Sequence, residues 1–231
     1  MQSAIGKDDR RLRRNSSIPQ SNAHRWYHLL IVVTAVVTAV SFVDAPYPSE
    51  QRLQHLPTML GLAGLAYYLQ RFPLSWQSYF SIMLFLWIHI FGARWIYSYV
   101  PYDTWTEHLT GESLSSRFQW ERNHYDRLVH FASGVLFLFP ASEGLQRHTG
   151  MKSRGAAVMA IAVILAIGAM YEVLEWQLAE RLSPASAEAY NGQQGDVWDP
   201  QKDLALAWLG AVLTCPLAFH WSIATTAPAK Q

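Results

Sequence analysis

"RGAAVMAIAVILAIGAMYEVLEWQL", residues 154–178, is an apolar stretch of 25 residues with two glutamates, Glu172 and Glu175, set into its second half. A bilayer core takes about 17 to 25 residues of helix to cross, and this stretch fills that length. Reading outward from it, five more segments share its character, at about 26–43, 55–70, 76–97, 125–142 and 203–222. The second is the shortest, and its "TMLGLAGLAYYL" carries Gly61, Ala63 and Gly64, small residues that suit close helix approach. Aromatic rings gather at the segment borders, in "HRWY", "AYYLQRF", "WIYSYVPY" and "FHW", where the two membrane interfaces would lie. The pattern predicts an all-α protein: a polytopic membrane helix bundle of about six transmembrane helices.

Composition agrees with that reading. Of 231 residues, 51% are hydrophobic and 15% charged, and the chain holds 10 Trp, 11 Tyr and 10 Phe, well above the aromatic share of an average soluble domain. The mean hydropathy of +0.03 is modest because a polar head and two long polar loops, about 98–124 and 179–202, dilute the spans. A net charge of +1, with no interleaving of basic and aromatic residues, argues against a nucleic-acid partner. The single cysteine, Cys215, lies in an apolar run, so it supports neither a disulfide framework nor a thiolate metal site and reads as a small core residue.

Lys and Arg set the orientation. The head, the "QRFP" and "QRHTGMKSR" turns and the tail carry eleven of them, and the opposite side carries seven. The positive-inside rule therefore puts both the N-terminus and the C-terminus in the cytoplasm, with the long loops outside. Residues 1–25 read as a disordered basic cytoplasmic head, 26–222 as one transmembrane helical domain and 223–231 as a short cytoplasmic tail. A basic stretch before an apolar run also resembles a secretory signal. Here the run is about 18 residues and is followed by "VDAPYPSE", a poor cleavage context, so a retained first span is expected.

With the topology fixed, the polar residues of the spans all fall at one end. His89 and Arg94 sit near the outer end of the third span, and Asp126 and His130, four apart, at the start of the fourth. Glu172 and Glu175, three apart, lie late in the fifth, and Asp199 and Asp203, four apart, open the sixth. Residues spaced three or four apart share a helix face. Their stripes continue into Gly92 and Ala93, Ser133 and Gly134, Gly168, and Ala207, Gly210 and Thr214, small residues that turn those faces toward neighbouring helices. Up to five carboxylates then crowd one pocket, with Arg94 and Arg127 as the expected nearest cations, and Arg94 is expected to pair with one of them. Such crowding calls for protonation or a bound cation. A mixed set of Asp126, His130, Glu172, Asp199 and Asp203 suits Zn, Mn or Fe. Asp199 before Pro200 reads equally well as the cap of the last helix. His24, His28, His55, His108, His124, His148 and His220 carry no assigned role.

Four motifs carry a resemblance: "HIFGARWIYSYVPY", "RNHYDRLVHFASG", "YEVLEW" and "GQQGDVWDPQKDLALAWLGA". They resemble the YjdF-like family of bacterial inner-membrane proteins over about residues 30–220. More distantly, the "DRLVHFASG", "YEVLEW" and late Asp pair are similar to VanZ-like membrane proteins. The first resemblance implies a polytopic inner-membrane protein without an established activity. From the residues, the expected function is a divalent-metal enzyme or binder facing outward, with membrane lipid as its surroundings and a lipid-linked or envelope molecule as substrate. In that reading Glu175 is the general base and Arg94 steadies an anionic headgroup, with His89 beside them. The alternatives are an accessory protein with internally paired charges and a proton-coupled transporter.

Overall fold

The computed structural model describes residues 20–223, and among these the chain forms nine helices and no strand. In chain order they are α1 Gln20–Val40, α2 Pro48–Leu69, α3 Trp76–Ala93, α4 Tyr102–Thr110, α5 Leu114–Phe118, α6 Tyr125–Thr149, α7 Ser153–Ala179, α8 Pro184–Asn191 and α9 Asp199–Ala218. The expected disorder of the head falls largely on residues outside that range, as does the tail beyond Ile223. The six long helices coincide with the six apolar stretches. Two of them, α6 with 25 residues and α7 with 27, are long and apolar enough to cross a membrane.

Local chemistry explains the helix ends. Ser75 caps α3 by accepting from the Ser78 amide at 3.2 Å, and Ser183 caps α8 through Ser186 at 3.3 Å. Gly150 and Gly192 close α6 and α8 at φ of 71° and 68°, a left-handed conformation that glycine adopts without steric cost. The two long loops are not shapeless: α4 and α5 fold the first and α8 the second.

Helix α6 is the hub. It packs on α9, α3 and α7, while α7 and α9 also meet and α8 lies on α7. Helices α1, α2 and α3 form a second group, joined to the first through the α3–α6 contact and a smaller α2–α8 contact. The core of the first group is Leu138, Ala157, Ala160, Ile164, Ala211, Cys215 and Ala218. Gly134 faces the backbone of Ala207, and Gly210 faces the backbone of Phe131, so closely that a methyl group at either would overlap it. The small-residue stripe of the sequence is thus the α6–α9 crossing.

Gly61 and Gly64 behave otherwise: nothing lies within 4 Å of where a side chain would project. Helix α2 begins at Pro48, well before the expected start, and turns Gln51, Gln54, His55, Thr58 and Leu62 inward, which leaves the two glycines on its outer face. The outer faces of the other long helices are apolar. Val32, Val36 and Val40 of α1, Ile167, Met170 and Val173 of α7, and Leu213 and Leu217 of α9 are all more than half exposed. Ridges of this kind fit hydrocarbon and would not fit water.

Beyond α3 the chain turns sharply, with Ile96 and Tyr97 at φ of 44° and 54°. A β-branched residue there costs about 1–2 kcal/mol. Burial holds it: Ile96 is fully enclosed, and the Tyr97 ring, with that of Tyr125, fills the space where Gly92 lacks a side chain. At the opposite end of the bundle, buried Glu143 accepts from the Ser75 amide and hydroxyl at 3.0 and 2.6 Å and from Arg147 at 2.6 Å, fixing α6 to the start of α3.

Candidate functional site

The first turns of α6, the last turns of α7 and the first turns of α9 meet at the loop-covered end. His130 Nε2 lies 3.7 Å from Asp126 Oδ1 and 3.9 Å from Glu172 Oε1. Asp126, His130 and Asp203 each offer a ligand atom within 4.8 Å of the others. The stagger is the predicted one: residues four apart on α6 and a full turn into α9 reach the same level because Gly134 and Gly210 let those helices touch. Asp203 is 3% exposed, and its Oδ1, like Glu172 Oε1, has no hydrogen-bond partner.

Beside this cluster is a cavity of about 510 Å³. Glu172 and Glu175 of α7 and Asp199 and Asp203 of α9 line one part of it, and Glu188 and Asn191 of α8 another. Gly192, just past α8, lies against Ser98 and the carboxylate of Asp126, so the second loop closes over the site.

Above the cluster runs a tier of ion pairs. Arg122 grips Asp199 through both guanidinium ends, Nη2 reaching Oδ2 at 3.3 Å, and also donates to the carbonyls of Gly192 and Gln193 at 3.0 and 3.1 Å. Arg127 lies 2.6 Å from Asp196 and 3.5 Å from Asp199, and Lys202 lies 2.5 Å from Asp196. The Lys202 ammonium bonded to it, helped by Arg127, draws the Asp196 carboxyl down to about 2. At the start of α6, burial together with Arg127 and Arg122 holds the His124 imidazole below its usual range. Asn123 and Gln194 tie the loops together, the Asn123 amide donating to Gln194 Oε1 at 2.8 Å and Gln194 Nε2 to the Asn123 carbonyl at 3.1 Å.

The structure therefore brings together Asp126, His130, Glu172, Glu175 and Asp203, with Asp199 adjacent and engaged by Arg122. Asp199 is not a cap: Trp198 occupies that position and no side chain caps the helix. His89 lies apart from the acids. Its Nε2 is 2.6 Å from Thr58 Oγ1, its Nδ1 bonds the Tyr97 hydroxyl, and its ring meets His55 edge-on at 5.9 Å. Arg94 pairs with no carboxylate among the described residues; it donates to the carbonyls of Ser41 and Val43 at 2.7 and 2.9 Å. Ser41 and Val43 lie in the turn that follows α1, and their carbonyls take the guanidinium. Sequence reasoning counted Arg122 only among the seven basic residues of the outer side and gave Glu188, Asn191 and His55 no role. No spacing within the chain announced Arg122, whose partner Asp199 lies 77 residues further on.

Three donors of type O, N and O at this spacing can close on one ion, whose bonds of about 2.0–2.2 Å require only small side-chain movement. Set against known proteins, residues 26–223 match the family described as Predicted membrane protein (DUF2238). Over 148 residues the chain is 36% identical to the inner membrane protein YjdF of Escherichia coli (strain K12), covering 63% of this chain and 66% of that relative. It thus spans just under two thirds of the relative's length. No solved structure matches, and the VanZ-like likeness gains no support from these matches. The chain is a protein of the bacterial inner membrane, and it belongs to the DUF2238 family of membrane proteins.

Proposed function

We propose that the protein crosses the inner membrane six times with both termini cytoplasmic, and that its outward site is a divalent-metal centre of an enzyme or binder for a lipid-linked or envelope molecule. The orientation rests on the eleven-to-seven distribution of Lys and Arg. The observation that carries the metal is the convergence of Asp126, His130 and Asp203 while Asp203 Oδ1 and Glu172 Oε1 lie buried without partners. A buried carboxylate oxygen lacking a donor is destabilising by about 1–3 kcal/mol or more, and one ion relieves that for several groups together. Asp126, His130 and Asp203 are the ligands, Glu172 the fourth, and the N/O set suits Zn, Mn or Fe. Bound there, the metal would supply Lewis acidity or an activated water. Glu175, on the cavity wall, is placed to accept a proton. Arg94 and His89 have no share in this chemistry.

Elemental analysis of the purified protein tests the reading. Near-stoichiometric metal in the wild type and its loss in Asp203→Asn, with a metal-free melting temperature no lower than that of the wild type, are expected. A wild type without metal, purified in the absence of chelators and after supplementation with Zn, Mn and Fe, overturns it. The paired tier of Arg122, Arg127, Lys202, Asp196 and Asp199 favours a second reading, an accessory protein whose charges serve folding alone. That reading requires Glu172→Gln and Asp203→Asn to raise stability with no change in metal content.

A further inference from the structure

We infer that the cavity beside the cluster receives the ammonium group of a cationic amphiphile, an inference that rests on the proposed outward site and names its ligand class. The wall is acidic, with Glu172, Glu175, Glu188, Asp199 and Asp203, and no Lys or Arg lines it. The cations closest to it are engaged: Arg122 holds Asp199, while Arg127 and Lys202 hold Asp196. One dication on Asp126, Glu172 and Asp203 leaves a carboxylate charge in excess, and Glu188, exposed at the rim, adds another. Charges crowded in reduced dielectric repel by several kcal/mol per pair, so a phosphate or carboxylate headgroup is disfavoured and a cation is drawn in.

A second metal ion does not fit as well. Among the described residues, the one group of ligating side chains close enough to grip an ion is Asp126, His130 and Asp203; Glu175 and Glu188 do not join a second group of three. An ammonium needs only separate acceptors for its three donors. Glu188 provides one, and Asn191 Oδ1, buried and without a partner, provides another.

The remaining wall says what the ammonium is attached to. Val173 and Trp176 line the cavity and are 56% and 57% exposed. They continue the ridge of Ile167 and Met170 along the outer face of α7, so an alkyl chain leaving the cavity runs directly onto an apolar surface. An indole face beside an ammonium adds a cation–π attraction. A soluble polyamine would use the acids and leave the apolar lip unused.

The test uses the full chain, metal-loaded, in phosphatidylcholine nanodiscs, with dodecylammonium, dodecyl phosphate, dodecanol and spermidine as probes and tryptophan fluorescence or calorimetry as readout. Dodecylammonium is expected to saturate one site at least tenfold more tightly than the other three. Loss of a charge-assisted hydrogen bond in Glu188→Gln should weaken it by about tenfold or more, and Trp176→Leu should weaken it severalfold, with metal content and melting temperature unchanged in both. Equal affinity for the three alkyl probes, or an unaffected Glu188→Gln, overturns the inference. Spermidine binding as tightly as dodecylammonium overturns the amphiphile. If the wild type holds no metal yet prefers dodecylammonium, the metal reading fails and this inference stands. Stoichiometric metal without that preference has the opposite meaning.

Discussion

Replacing Arg122 by Ala probes the assembly of the site most directly. The guanidinium is 9% exposed and its partner Asp199 3%, and the same group satisfies the carbonyls of Gly192 and Gln193. Removing one partner of a buried ion pair costs about 3–5 kcal/mol, because the other charge is left uncompensated. Arg127, 3.5 Å from Asp199, recovers part of that, and the two carbonyls keep other donors, Gln194 Nε2 at 3.3 Å on Gly192 and the Asp196 amide at 3.0 Å on Gln193, so they add little. The net loss is about 3–4 kcal/mol. For a chain of this size each kcal/mol moves the melting temperature by about 2–4 °C, giving a fall of about 6–16 °C. The assay is thermal unfolding in detergent followed by tryptophan fluorescence. Arg117→Ala is the control, since Arg117 is exposed and makes no ion pair among the described residues; it should shift the transition by no more than about 2 °C. Arg122→Met combined with Asp199→Leu removes both charges and should recover most of the loss. An Arg122→Ala protein melting within about 2 °C of wild type would refute the reasoning, because it would mean that the tier bears no part of the fold's stability.

Three further outcomes are expected. Glu143→Ala leaves Arg147 and the Ser75 amide without their buried carboxylate partner and should cost about 3–5 kcal/mol in the same thermal assay. Gly134→Ala forces α6 off α9, since its methyl meets the Ala207 backbone, and should lower expression of folded protein sharply; Gly61→Ala, with open space around it, should be neutral or stabilise by up to about 1 kcal/mol. In Lys202→Met the Asp196 carboxyl should rise from about 2 toward its ordinary value of 3.8, read by carboxyl carbon NMR. A carboxylate with a lowered folded-state pKa stabilises the fold above its unfolded value of about 3.9 and loses that contribution as pH falls toward the folded value. Wild type should therefore hold its loop structure to lower pH than Lys202→Met, within about pH 4 to 2.

The six long helices were legible because length and apolarity are summed over many residues, so one misplaced boundary changes little. The cluster was legible for a related reason. Spacings of three and four put Asp126 with His130 and Glu172 with Glu175 on single faces, and small residues below them marked those faces as inward. Arg94 was misread because the turn after a helix supplies acceptors that no side-chain inventory shows: its partners are backbone carbonyls of Ser41 and Val43. His89 was placed by depth and by the stripe of Gly92 and Ala93, which turns its face inward without saying toward which helix; it faces Thr58 and Tyr97. The polar first turns of α2 were hidden because Gln51, Gln54 and His55 have no apolar periodicity to announce burial. Arg122 and Glu188 depend on how two loops fold over each other, which no local pattern in either loop records.

The order in which the halves of the site leave the ribosome matters for biogenesis. Asp126 and His130 enter with α6, whereas Asp203 and the carbonyls of Gly192 and Gln193 arrive about 70 residues later. Until then a nascent chain holds Asp126 and His130 in the first turns of α6, and Arg122 in the loop before it, without the partners that the last helices bring. Insertion of α6 must therefore be held in a protected, hydrated environment at the translocation machinery until the last hairpin is made, and chains truncated before residue 199 should be recognised as unfinished and degraded.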